Sequence, residues 1–222
     1  MRVVCVGELL LRLTAPRREL LLQSPALDVW CGGAEANVAV SLACFGHEAA
    51  MVSAVPDSPL GEACAGELRR RRVDTHHVLV RPGRMGLYFL TPGAGLRPSD
   101  VIYDRADSAF ARASAVDFDW PRILEGADWL HVSGVTPALG PRSAELARVA
   151  LSSARRSGVR VSFDCNYRAK LWSEWHSDPV ATLSELASLA DLLFADERML
   201  AMLLPGANGA ATGRDGFAAL AA

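Results

Sequence analysis

Short apolar runs of strand length alternate along this chain with stretches of helical spacing, and that rhythm limits its fold more than any other feature. Strands are predicted at residues 3–6, 51–55, 129–132, 159–163 and 192–194. Helices are predicted at 34–45, 61–71, 142–157 and 179–190, the last with proline in its first turn. Strands buried on both faces read as continuous apolar runs, and a helix after each strand supplies the crossover that parallel pairing requires. The expected fold class is therefore α/β, with a central, mostly parallel sheet flanked by helices.

One segment breaks the rhythm. Between residues 78 and 109 lie the pieces HVLVR, GLYFL and VIYDR, separated by Pro/Gly turns and without a helix. They predict a small antiparallel sheet or flap, with residues 12–30 supplying partner strands, placed to close over a ligand. The Gly/Ala-rich PGANGAATGRDG at 205–216 reads as a loop leading into a helix that stops at Ala222.

Composition narrows the function classes. The chain has 222 residues, half of them hydrophobic, and a net charge of −2, which is the profile of a soluble globular domain without a nucleic-acid footprint. Its basic block, Arg69 to Arg72, closes a predicted helix, where cations complement the dipole. No apolar run is long enough to cross a membrane, and Glu8 interrupts the N-terminal run too early for a signal peptide. Five scattered cysteines and five histidines show no metal-ligand spacing. The cysteines read as small buried hydrophobes of a reducing, cytoplasmic compartment.

Four stretches carry candidate chemistry. In VWCGGAEANVAVSLACFG, residues 29–46, paired glycines precede a helix. That arrangement serves either close helix–sheet packing or the approach of an oxygen-rich ligand to free N–H groups. The flap carries Tyr88, Tyr103 and Arg105, which either contact a polar ligand or brace the flap itself. LHVSGVTPAL ends a predicted strand with a turn, the place where open α/β sheets bind ligands. In VSFDCNYRAKLW a buried strand runs into Asp164, Asn166 and Arg168 at every second position. Alternation puts the three on one side of an extended segment, where they hold a carboxylate, phosphate or metal-bound water, or else satisfy each other through an Asp164–Arg168 ion pair.

Together GGAEANVA, SGVTPAL and D-x-N-Y-R-x-x-L-W resemble the ribokinase-like (PfkB-type) carbohydrate kinases, and within them the branch acting on 2-keto-3-deoxygluconate. The resemblance runs from Val3 to about Leu204. It implies one ribokinase-like domain with lid segments near 12–30 and 78–109, of which residues 1–222 are the N-terminal two-thirds. It also implies ATP-dependent, Mg2+-assisted phosphorylation of a sugar acid. Gly33, Asn37, Tyr88, Tyr103, Arg105 and Arg168 would bind the sugar, with Arg168 on its carboxylate. Asp164, Asn166, Asp196 and Glu197 would stand near the phosphates and Mg2+. Lids of this family also pair subunits, so a homo-oligomer is among its implications.

Three departures qualify the resemblance. The family's N-x-x-E element reads Asp196-Glu197-Arg198-Met199, leaving Asp196 or Glu197 to replace the usual glutamate. Its V-G-D-D-x-x-G element reads VPDSPLG at 55–61. No Gly-x-Gly-Asp occurs in the sequence, so the catalytic aspartate and anion hole are expected beyond Ala222, and residues 1–222 alone are expected to be nearly inactive. The competing readings are a kinase of a neutral ketose such as fructose and a non-catalytic sugar-binding relative. A nicotinamide-dependent reductase is disfavoured, because residues 3–11 lack a Gly-rich turn.

Overall fold

The computed structural model describes residues 1–203. The chain divides into two compact units: Met1–Val6 with the chain from Ser114 onward, and Gly7–Ala113. The predicted 205–216 loop and the helix after it lie outside the described residues.

Strand β1 (Arg2–Val6) belongs to the first unit. The Gly7–Ala113 unit begins with β2 (Leu10–Thr14), β3 (Asp28–Gly32), α1 (Ala34–Cys44) and β4 (Glu48–Val55). It continues with α2 (Pro59–Arg70), β5 (Asp74–Val80), β6 (Gly86–Thr91), β7 (Asp100–Asp104) and α3 (Ala109–Arg112). Every residue of β4 after Glu48 is buried, as a continuous apolar strand covered on both faces should be. It pairs in parallel with β5, from Val52 opposite His77 to Val55 opposite Val80. Helices α1 and α3 pack on β4, and α2 packs on β5. Helix α2 starts where the Ser58 hydroxyl accepts the Gly61 N–H at 3.2 Å, and it ends on Arg69 and Arg70.

The other strands of this unit form a four-stranded sheet in the order β3-β2-β6-β7. Two sequence-based expectations change here. The HVLVR piece is the end of β5 and belongs to the parallel ladder with β4, not to the flap. Its half-exposed alternation suited either sheet, and pairing with the distant β4 decided its place. The small sheet is mixed rather than antiparallel: β2 runs antiparallel to β3 but parallel to β6, which is antiparallel to β7. The long connection from β2 to β6 permits this, since no hairpin forces them to run in opposite directions.

The first unit continues with α4 (Trp120–Leu124), β8 (Trp129–Ser133), α5 (Pro141–Arg156) and β9 (Arg160–Asp164). After these come α6 (Ala169–Trp172), α7 (Pro179–Ser188), β10 (Leu192–Phe194) and α8 (Glu197–Leu203). Strands β1, β8, β9 and β10 pair in parallel in that order, with Val4 opposite Leu130, Leu130 opposite Val161, and Phe163 opposite Leu193. Helix α5 packs on β8 and β9. It buries Ala147, Ala150, Leu151 and Ala154 at three- and four-residue spacing, the stripe of an amphipathic helix on a sheet. Burial of a side chain such as Leu151 contributes about 1.5–3 kcal/mol. The register aligns Ser133, Asp164 and Phe194 as neighbours, so three strand-to-helix connections leave the ladder from one edge.

Candidate functional site

That carboxyl edge opens into a cavity of about 660 Å³ whose lining includes Asp164, Asn166, Arg168, Asp196, Arg198 and Met199. The backbone there is tightly set. The Gly134 N–H donates to the Asp164 carbonyl at 2.7 Å, and a Cβ on Gly134 would collide with the Cys165 carbonyl oxygen. Asn166 has a φ of +26°, in the left-handed region that asparagine tolerates, and its N–H donates to Asp164 Oδ1 at 3.2 Å. The extended alternation predicted through this segment therefore stops at Asp164. Asp164, Asn166 and Arg168 share the cavity because the chain turns, not because they lie on one side of a strand.

Arg168 is exposed, and its guanidinium donates to the Tyr167 carbonyl oxygen at 3.1 Å. It lines the cavity together with Asp164 and Asp196. Asp196 accepts the Met199 N–H at 2.8 Å and caps α8. Met199 is buried, whereas Glu197 is exposed in the first turn of α8 and does not line the cavity. Burial, reinforced by the charges of Asp164 and Asp196, pushes the Cys165 thiol up to about 12. That thiol is therefore protonated and inert. His131 is buried on β8, with Nδ1 3.1 Å from Ser162 Oγ on the paired strand. Its pKa is lowered by burial against the opposing pull of Asp164.

The remaining predicted site residues lie in the other unit. Gly33 caps α1 with a φ of +149°, and a Cβ there would run into the Glu8 carbonyl oxygen. Packing alone thus requires glycine at this position. Asn37, exposed in the first turns of α1, lines a separate cavity of about 670 Å³ with Trp30, Cys31 and Cys64. Tyr88 and Tyr103 are directly opposed on β6 and β7, with ring centroids 6.4 Å apart. The register extends their row through Arg12 to Trp30, and the Arg12 guanidinium lies 5.9 Å from the Trp30 ring centroid. Arg105 is buried, donating from Nε to Glu8 Oε2 at 2.5 Å, while the Ser108 hydroxyl donates to Glu8 Oε1.

Glu8, Arg12 and Trp30 are the residues that sequence reasoning missed. An acid two residues past the end of the apolar run of β1 was the available signal for Glu8. Nothing local announced Arg12 or Trp30, because only cross-strand register brings them beside the tyrosines.

The pfkB family carbohydrate kinase pattern matches residues 1–216. The chain belongs to the pfkB family of carbohydrate kinases. This pfkB-family chain is 38% identical over 206 residues to a 2-dehydro-3-deoxygalactonokinase of Haloferax volcanii, covering 91% of the chain and 63% of that relative. The crystal structure of a 2-dehydro-3-deoxygluconokinase from Thermotoga maritima superposes with a TM-score of 0.87 at 42% identity, covering 100% of this chain and 67% of that one. A sugar kinase from Pyrococcus horikoshii in complex with ATP superposes with a TM-score of 0.81 at 27% identity, over 91% of this chain and 65% of that one. The pfkB-family chain thus spans about three-fifths of the length of the curated relatives it matches. These likenesses agree with the α/β class and with the ribokinase-like fold expected from the sequence.

Proposed function

We propose that this protein takes part in ATP-dependent phosphorylation of a sugar acid of the 2-keto-3-deoxyaldonate type, 2-keto-3-deoxygluconate first. The observation that carries this reading is Arg168, an exposed arginine that lines one cavity with Asp164, Asn166 and Asp196. A planar guanidinium suits a planar carboxylate, and a neutral ketose has no use for its charge. The names of the Haloferax and Thermotoga relatives support the same substrate class. By family resemblance Gly33, Asn37, Tyr88, Tyr103 and Arg105 of the Gly7–Ala113 unit are further candidates for sugar contacts, although Asn37 lines the separate 670 Å³ cavity and Arg105 is paired with Glu8.

Phosphoryl transfer works chiefly through positioning and charge neutralisation. Mg2+ is held by one or two carboxylates together with substrate phosphates rather than by a protein cage. The site fits that pattern in that Asp164 and Asp196 line one cavity with Asn166. Asp164 and Asp196 would hold the ion, which supplies charge neutralisation for the transferring phosphoryl group, with Glu197 nearby on α8. Arg168 anchors the acid end and so directs the far hydroxyl toward the phosphate.

Self-association through the lid also belongs to this reading. The sheet face opposite Tyr88 carries the row Val29, Leu13, Phe89 and Ile102, of which Val29 and Ile102 are 54% and 51% exposed. Apolar rows of this kind are suited to a partner surface.

The test is competition binding of 2-keto-3-deoxygluconate, 2-keto-3-deoxygalactonate and fructose to the protein. Tighter binding of either acid than of fructose supports the proposal; tighter binding of fructose overturns it.

A further inference from the structure

Two of the five cysteines, far apart in sequence, meet in the Gly7–Ala113 unit. Cys31 lies on the edge strand β3, and its thiol donates to the Cys64 carbonyl oxygen on α2 at 3.7 Å. Both are free thiols and both line the 670 Å³ cavity. Cys31 is half-buried and reachable from that cavity, whereas Cys64 is buried. We propose that Cys31 and Cys64 are a dithiol modification site that closes to a reversible disulfide, tying the edge of the four-stranded sheet to α2.

The electrostatics assign the two roles. A hydrogen bond from the Cys64 thiol lowers the pKa of Cys31, outweighing burial and the charge of Glu67. The same bond, with burial, pushes the Cys64 thiol up. Cys31 is therefore the attacking thiolate and Cys64 the resolving thiol. The oxidant is a low-molecular-weight disulfide. The Cys31 thiolate attacks one of its sulfurs, forming a mixed disulfide and expelling one small thiolate. Cys64 then attacks the Cys31 sulfur, a second small thiolate leaves, and the thiol proton of Cys64 passes to it. Two electrons move from the protein pair to the small disulfide, which ends as one thiolate and one thiol; the thiolate takes up from solvent the proton that Cys31 released. The product links β3, which runs through Gly33 directly into α1, to a helix packed on the parallel ladder.

The test is incubation with glutathione disulfide, then alkylation and peptide mapping. Wild type should lose alkylation at Cys31 and Cys64 together, yield a Cys31–Cys64 cross-linked peptide, and recover both thiols with dithiothreitol. Exposed Cys44 should only carry bound glutathione. Cys64→Ser should trap glutathione on Cys31, and Cys31→Ser should leave Cys64 reduced. Hydrogen exchange in β3 should slow in oxidised wild type and not in either variant. Stable glutathionylation of Cys31 in wild type with Cys64 still alkylated would overturn the proposal. So would both thiols staying free while Cys44 reacts.

Discussion

Glu8 and Arg105, 97 residues apart in sequence, form a buried ion pair: Arg105 Nε donates to Glu8 Oε2 at 2.5 Å, and the two side chains are 1% and 7% exposed. Ser108 donates to the other carboxylate oxygen, and Gly86 leaves the space that the carboxylate occupies. Removing one partner of such a pair strands a charge in the interior, which costs about 3–5 kcal/mol. Glu8→Ala should lower the free energy of urea unfolding by that amount. A loss no larger than that of an exposed pair would show that the carboxylate does not hold this corner together.

Gly33 leads to a second prediction. Its φ of +149° and the adjacent Glu8 carbonyl oxygen exclude a side chain whatever binds nearby. Backbone held in such a region costs a non-glycine residue about 1–3 kcal/mol. Gly33→Ala should therefore melt earlier than wild type without any sugar present. An unchanged melting temperature would contradict the packing role.

These two positions also show what was legible in the sequence. The parallel strands and their helices were readable because continuous apolar runs and helical stripes are local patterns, as β4 and α5 illustrate. The glycine motif was readable as special, but not its cause, since Glu8 reaches Gly33 only through the fold. HVLVR was assigned to the wrong sheet for the same reason: a half-exposed strand does not declare its partner. The turn at Asn166 was hidden because strand alternation gives no sign of a left-handed residue.

His131 supplies a pH prediction. An unfolded histidine titrates near 6.5, and burial holds His131 below that value in the fold. Between the folded and unfolded values the unfolded chain binds more protons, so stability falls as pH drops through that window. Above 6.5 the contribution is constant. Urea unfolding followed from neutral to mildly acid pH should show this slope, and His131→Asn should flatten it. An identical slope in the variant would assign the effect elsewhere.

The apolar lid face gives a prediction about assembly. Ile102 is half exposed beside Phe89 in the row opposite the tyrosines. If that face pairs subunits, Ile102→Glu would bury a charge without a partner and dissociate the assembly. Sedimentation should show a smaller species for the variant than for wild type. The same species for both would remove this face from any interface.

The most direct measurement is calorimetric titration of 2-keto-3-deoxygluconate and fructose into wild type and Arg168→Ala. Arg168 is exposed and its guanidinium is bonded to its neighbour's carbonyl, so the variant should fold normally. Loss of a charge-assisted hydrogen bond costs about 1.5–3 kcal/mol, or roughly 10- to 150-fold in affinity. Wild type should bind the acid more tightly than fructose, and the variant should lose affinity for the acid by that factor while its affinity for fructose stays the same. Equal affinity of wild type and variant for the acid would contradict the assignment of Arg168 and, with it, the sugar-acid reading.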